Sequence, residues 1–131
     1  IKDNGLEEYV TYHGIVDGEQ KRELLKKCYL FALPTRYPNE GQPISILEAM
    51  GNGMFIITTD HAGIPDIVED GINGLIIQKK ACARDFFENL KKQDNIEEML
   101  INNRKLVAKR FKQKNYINAM NRAFRNILNK N

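Results

Sequence analysis

The chain has no apolar run approaching the ~18–20 residues that a membrane-crossing helix needs. No leader-like segment opens it, and its two cysteines, Cys28 and Cys82, fit no metal-ligand spacing. That pattern excludes a disulfide framework or a zinc module and reads as ordinary thiols in a reducing compartment. A cytoplasmic location is therefore expected, with no metal site. Internal repeats and low-complexity tracts are absent, which excludes a repeat array. No G-x-G-x-x-G follows a strand-like run, which counts against a dinucleotide-dependent dehydrogenase. After Glu98 no acid appears, although cations accumulate from Arg104 to Lys130.

What is present suits one globular domain. At 131 residues, with 42% apolar and 28% charged residues, the chain can bury a modest core. The net charge is only +3, so the basic C-terminal segment is a local feature. It is either a solvated helix face or a contact for an anionic surface. The aromatic residues among its cations, Phe111, Tyr116 and Phe124, follow the helical apolar pattern and do not form a base-stacking platform, so nucleic acid is not an expected partner.

Apolar runs and punctuation alternate along the chain. Residues 9–16 (YVTYHGIV) read as a strand, followed by a helix over 19–28. Residues 29–35 (YLFALPT) read as a second strand, closed by Pro34, and a short helix is expected from Pro43 to Met50. Residues 54–60 are uniformly apolar up to the terminal threonines and aspartate, as in a strand buried on both faces. A short helix over 64–70, with Pro65 in its first turn, leads through Asp70-Gly71 and Asn73-Gly74 to a last strand over 74–78. From residue 83 the period becomes helical. Phe86, Phe87 and Leu90 mark one helix, Ile96 to Phe111 a second, and Tyr116, Met120, Phe124 and Leu128 a third. Strand–helix alternation followed by helices predicts an α/β domain with a Rossmann-like parallel sheet and flanking helices.

Ligands of such sheets bind at the carboxyl ends of the strands. One of those ends is the stretch NEGQPISILEAMGNG, residues 39–53, with Glu40 before a helix and Glu48 inside it. Pro43 suits the first helical position, where its missing N–H costs nothing. The N–H groups of Ile44 and Ser45 are then free at a positive helix end, a ready place for phosphate. Gly41 allows close backbone approach. Glu48 could accept a vicinal diol and Glu40 could reach hydroxyls beyond the phosphate. The same acids near a helix start are also ordinary dipole partners, and local reasoning leaves the two readings level.

The longer segment LPTRYPNEGQPISILEAMGNGMFIITTDHAGIPDIVEDGINGLII, from Leu33 to Ile77, resembles the signature region of retaining glycosyltransferases of family 4, the glycosyl transferases group 1. Those enzymes show Pro-Ser/Thr, then two glutamates separated by seven residues, Glu-Ala-Met, a strand ending Thr-Asp, and a Gly-Ile-Pro-Glu-Ile-Val-x-Asp-Gly-x-Asn-Gly pattern. The resemblance runs nearly continuously from Tyr9 to Gln78. It implies the C-terminal, donor-binding half of a GT-B fold, spanning residues 1–131 with C-terminal helices from 83. It further implies a UDP- or GDP-sugar as donor substrate and a saccharide or lipid-linked acceptor, without a required metal or cofactor. By position, Glu40 matches the acid at the reaction centre and Glu48 the acid that binds the ribose. Gly41, Gln42, Ile44 and Ser45 match the loop and helix start that meet the sugar and diphosphate. Ile15 and Val16 match the segment that meets the base. Membrane-proximal acceptors are common in the family, and the basic tail would suit a peripheral contact with anionic lipid.

Several positions depart from the family pattern. Phe55 stands where the family has Pro and Gly51 where it has Ala. His13 and His61 do not match the family's catalytic-face histidine and read as strand-end residues with local partners. The diphosphate-gripping Arg and Lys would lie before Tyr9, and nothing matching is found there. Together with the opening at Ile1, this reads as a fragment whose first strands are missing. The expected consequence is self-association, or a rearranged pairing of segments 9–13 and 29–33.

Overall fold

In a computed structural model, residues 1–77 and 83–129 are described. Cys82, Gln78 of the expected last strand, the Phe86 side chain and Lys130 lie outside the described residues. The chain runs through α1 (Gly18–Lys27), β1 (Leu30–Leu33), α2 (Ile44–Gly51), β2 (Phe55–Thr59), β3 (Leu75–Ile77), α3 (Ala83–Lys91), α4 (Ile96–Arg110) and α5 (Gln113–Leu128). The three strands form one parallel sheet in the order β1-β2-β3. Leu30 lies opposite Phe55, and Ile57 lies opposite Leu75.

β2 is central and buried along its whole length. Its side chains alternate between two apolar layers. Ile56 joins Ile46, Ala49 and Met50 of α2 with Ile64, Ile67 and Val68, and Leu25 of α1 packs against that layer. Phe55 and Ile57 join Leu75 and Met99 on the other face, with Leu90 of α3 and Ile96 and Leu100 of α4 alongside. Helices thus cover both faces of the sheet, the arrangement a parallel sheet requires.

α4 is tied to the sheet by a buried amide. Asn103, with no exposed surface, donates through Nδ2 to the carbonyl of Met54 at 3.2 Å and to that of Asn73 at 2.9 Å. These carbonyls lie just before β2 and β3, so one side chain staples the helix under both strand starts. α2 ends in a Schellman turn. Gly53 sits at φ 74, its N–H reaches the carbonyl of Met50, and the N–H of Met54 reaches that of Ala49.

Three sequence expectations need correction. Residues 9–16 form no strand. Tyr9, Tyr12 and Ile15 are exposed there, so no burial offsets the cost of ordering, and no neighbouring strand takes the backbone groups. The segment does not pair with β1 either, so the rearranged pairing does not occur. Pro43 is the N-cap, at ψ 116, and the helix starts one residue later, at Ile44. The expected helix over 64–70 is a single 3-10 turn, Ile64–Asp66. Asn73 ends it by accepting the N–H of Glu69 and donating to the carbonyl of Ile67, the groups a longer helix would have used.

Candidate functional site

The carboxyl end of β1 opens into the loop that carries Glu40, and hydrogen bonds from β2 hold that loop in place. The Thr58 hydroxyl donates to the Leu33 carbonyl at 3.0 Å, and the Thr59 hydroxyl to the Thr35 carbonyl. The Thr35 hydroxyl in turn donates to Oε2 of Glu40 at 3.3 Å and accepts the Tyr37 N–H at 3.2 Å. A half-buried Glu40 is therefore oriented by a residue two positions past the end of β1.

The loop after β2 clasps the same segment from the other side. Nε2 of His61 lies 2.7 Å from the Tyr37 carbonyl, and because a carbonyl only accepts, the proton sits on Nε2. His61 thus has the local partner expected of it, whereas His13 is exposed. The Gly63 N–H donates to the Gly41 carbonyl at 3.1 Å. A methyl group on Gly63 would lie 3.0 Å from that oxygen, so close contact of the two loops depends on glycine at 63.

Beyond the clasp, Gly41 and Gln42 are exposed and Pro43 is buried beneath them. Ile44 and Ser45 begin α2 with no side-chain cap. Their N–H groups have no hydrogen-bond partner among the described residues. They therefore remain donors at the positive end of the helix.

One turn further on, Oε1 of Glu48 is 2.7 Å from Nζ of Lys21 in α1. The two side chains are 38% and 39% exposed. Beside them lies a cavity of about 340 Å³ lined by Gly18, Lys21, Arg22, Leu25, Glu48 and Asn52. A larger groove of about 700 Å³ runs from Gln42 and Leu47 to Lys109, Arg110, Phe111 and Lys112.

The residues singled out in the sequence thus fall into two groups. Glu40, Gly41, Gln42, Ile44, Ser45 and Glu48 lie on one continuous stretch at the carboxyl end of β1. Ile15 is 99% exposed and Val16 is half-buried. No hydrogen bond joins either to residues 40–48 among the described residues. They lead directly into α1, whose Lys21 does reach Glu48.

Lys21 was not singled out in the sequence, where it reads as one of several surface lysines. Nor did the sequence reveal the clasp formed by His61 and Gly63. Only the Thr at the end of the Pro-Thr pair was visible in the motif. Among the described residues no three His, Cys, Asp or Glu side chains lie together as a metal site would need. No described helix is long and apolar enough to cross a membrane.

Comparison with known proteins identifies the family and the fold. Residues 1–93 match a family model described as glycosyl transferases group 1. The putative colanic acid biosynthesis glycosyltransferase WcaL of Salmonella typhimurium is 29% identical, over 98% of this chain and 32% of that protein. The chain thus spans about a third of that relative's length. Among solved structures, sucrose-phosphate synthase from Thermosynechococcus elongatus superposes with a TM-score of 0.79 at 20% identity, covering 99% of this chain and 33% of the other. Anabaena Alr3699/HepE, solved in complex with UDP, gives 0.73 at 21% identity, covering 99% and 35%. At such identities the structural likeness speaks for the fold, a parallel α/β sheet with flanking helices.

Proposed function

Because the chain belongs to the glycosyl transferases group 1 family, we propose that it is the donor-binding part of a retaining glycosyltransferase of family 4. Its donor would be a nucleoside diphosphate sugar. The observation that carries this reading is the clasped stretch from Glu40 to Glu48. Two carboxylates flank unpartnered helix-start amides, an arrangement that suits sugar, diphosphate and ribose in that order.

In this reading Glu48 accepts the ribose hydroxyls, and the amides of Ile44 and Ser45 meet the diphosphate. Glu40 meets the sugar near the reaction centre, with Gly41 and Gln42 closing over it. Ile15 and Val16 would meet the base through their backbone.

The reaction breaks the bond between the anomeric carbon and the diphosphate oxygen, and the electron pair leaves with the diphosphate. The acceptor oxygen forms the new bond on the same face, and its proton passes to the departing diphosphate. Preorganised donors aimed at the departing charge stabilise the transition state, each worth ~3–4 kcal/mol in comparable sites. No metal is required for that chemistry.

A saccharide or lipid-linked acceptor, used to build a polysaccharide or glycolipid, follows from the family and from the WcaL relative. The groove lined by Lys109, Arg110 and Lys112, with apolar walls at Leu47 and Phe111, would suit an acceptor that carries phosphate. Part of the basic C-terminal helix would also touch anionic lipid.

The alternative is a module that binds the donor without turning it over. It shares the same site and differs only in lacking transfer.

Thermal unfolding against a panel of UDP- and GDP-sugars tests donor binding. A ligand at a hundredfold excess over its Kd stabilises by about 2.7 kcal/mol. One donor class should raise the melting temperature, and no shift with any member of the panel would contradict the reading. Release of nucleoside diphosphate in the presence of acceptor then separates the enzyme from the binding module.

A further inference from the structure

Resting on the assignment of Glu48 to the ribose, we infer that Lys21 positions that carboxylate and so sets the preference for ribonucleotides over deoxyribonucleotides. The ion pair joins two helices, with Nζ of Lys21 on α1 and Oε1 of Glu48 on α2, 2.7 Å apart and 27 residues apart in sequence. Three other described pairs, Arg22 with Glu19, Lys26 with Glu23 and Lys91 with Glu88, link residues three apart within one helix.

The backbone at Glu48 is fixed independently. Its carbonyl accepts the Asn52 Nδ2 donor at 2.8 Å and the Asn52 N–H at 3.1 Å. What remains free is the side-chain rotamer, and Lys21 sets it. With both partners over a third exposed, the pair contributes little to holding the helices together. Its consequence is orientation.

Nζ takes one lone pair of Oε1, leaving the second lone pair of Oε1 and both of Oε2 as acceptors. A vicinal diol offers two O–H donors, and a carboxylate held in one rotamer can accept both. The ammonium stays beside the ligand, in the cavity that Gly18, Arg22, Leu25 and Asn52 complete. With Glu48 on the ribose, Lys21 stands one helix further from the reacting bond and acts through Glu48.

The test uses the protein purified at its natural length and calorimetric titration with UDP, GDP and their 2′,3′-dideoxy counterparts. Lys21→Met keeps the aliphatic stem and removes the donor. It should weaken binding of the preferred ribonucleotide several-fold, up to about fivefold, as an exposed pair allows, and leave the dideoxy analogue unchanged. The ribo-to-dideoxy ratio then falls by the same factor. Lys21→Arg should restore most of it. Circular dichroism of each variant checks that the fold is intact, and a loss of affinity equal for both analogues would indicate a merely structural role and overturn the inference.

Glu48→Gln is run in parallel to keep the two assignments apart. If it abolishes the ratio while Lys21→Met leaves it intact, Lys21 has no positioning role and the ribose assignment stands. If Glu48→Gln leaves the ratio intact, the ribose assignment fails and the inference fails with it. A gain in ribonucleotide affinity in Lys21→Met would show that Lys21 competes with the diol, and no binding of any nucleotide would overturn both assignments.

Discussion

Removing the Asn103 side chain probes how α4 holds the sheet beneath the site. In Asn103→Ala the carbonyls of Met54 and Asn73 both lose their side-chain donor. Asn103 is fully buried, so water does not replace the lost bonds freely. An unpaired buried polar group costs ~1–3 kcal/mol. Two such groups would total about 2–6 kcal/mol on that scale. Oδ1 of Asn103 is itself buried without a partner, and deleting it returns part of that cost. The expected loss is therefore about 2–4 kcal/mol, a fall in melting temperature of roughly 6–15 °C for a domain of this size. Asn103→Leu restores the volume without the donor and should be destabilised by a comparable amount. Thermal unfolding followed by circular dichroism gives both numbers. A melting temperature within about 2 °C of the parent for either variant would mean that the amide staple is not what fixes α4.

Gly63→Ala should act on the site more than on the fold. Its φ of −84 suits alanine, but the methyl group lies 3.0 Å from the Gly41 oxygen and displaces the loop carrying Glu40. Nucleotide-sugar affinity should fall several-fold while the melting temperature changes less than in Asn103→Ala, and unchanged affinity would show that the two loops are not coupled. α5 has no buried residue, and it exposes Tyr116, Ile117, Met120, Phe124, Ile127 and Leu128 next to Lys114, Arg122 and Arg125. It should carry the protein to vesicles containing anionic lipid in a salt-sensitive way, and equal binding to neutral vesicles or insensitivity to salt would argue against the lipid contact. β1 keeps one open edge, so association that grows with concentration is expected in sedimentation velocity, and a strictly monomeric boundary would remove the self-association proposal.

Most of the architecture was legible because local and global signals agree there. β2 reads as a doubly buried strand and is one, since its Phe55-Ile56-Ile57 run is apolar and lies between two partners. The three C-terminal helices follow their period, although the stripe from Tyr116 to Leu128 marks an apolar face that nothing in the described chain covers. The segment 9–16 misled because β-branched and aromatic residues report how well a residue suits a sheet, not whether a neighbouring strand is at hand. The helix expected over 64–70 was lost to Asn73, a side chain whose hydrogen bonds cannot be seen from spacing. The placement of Glu40 before α2 and of Glu48 within it was legible from their motif. The ion pair to Lys21, the His61–Tyr37 bond and the Asn103 staple depend on residues 24 to 49 positions apart, and no periodicity encodes such contacts.

The central claim is that the stretch from Glu40 to Glu48 holds a nucleotide sugar with Glu48 on the ribose. Calorimetric titration of the natural-length protein and of Glu48→Ala with the nucleotide sugar that stabilises it tests this most directly. Loss of two hydrogen bonds to a charged acceptor, each ~1.5–3 kcal/mol, predicts binding weaker by about a hundredfold or more in Glu48→Ala. Affinity unchanged by the substitution would contradict the account.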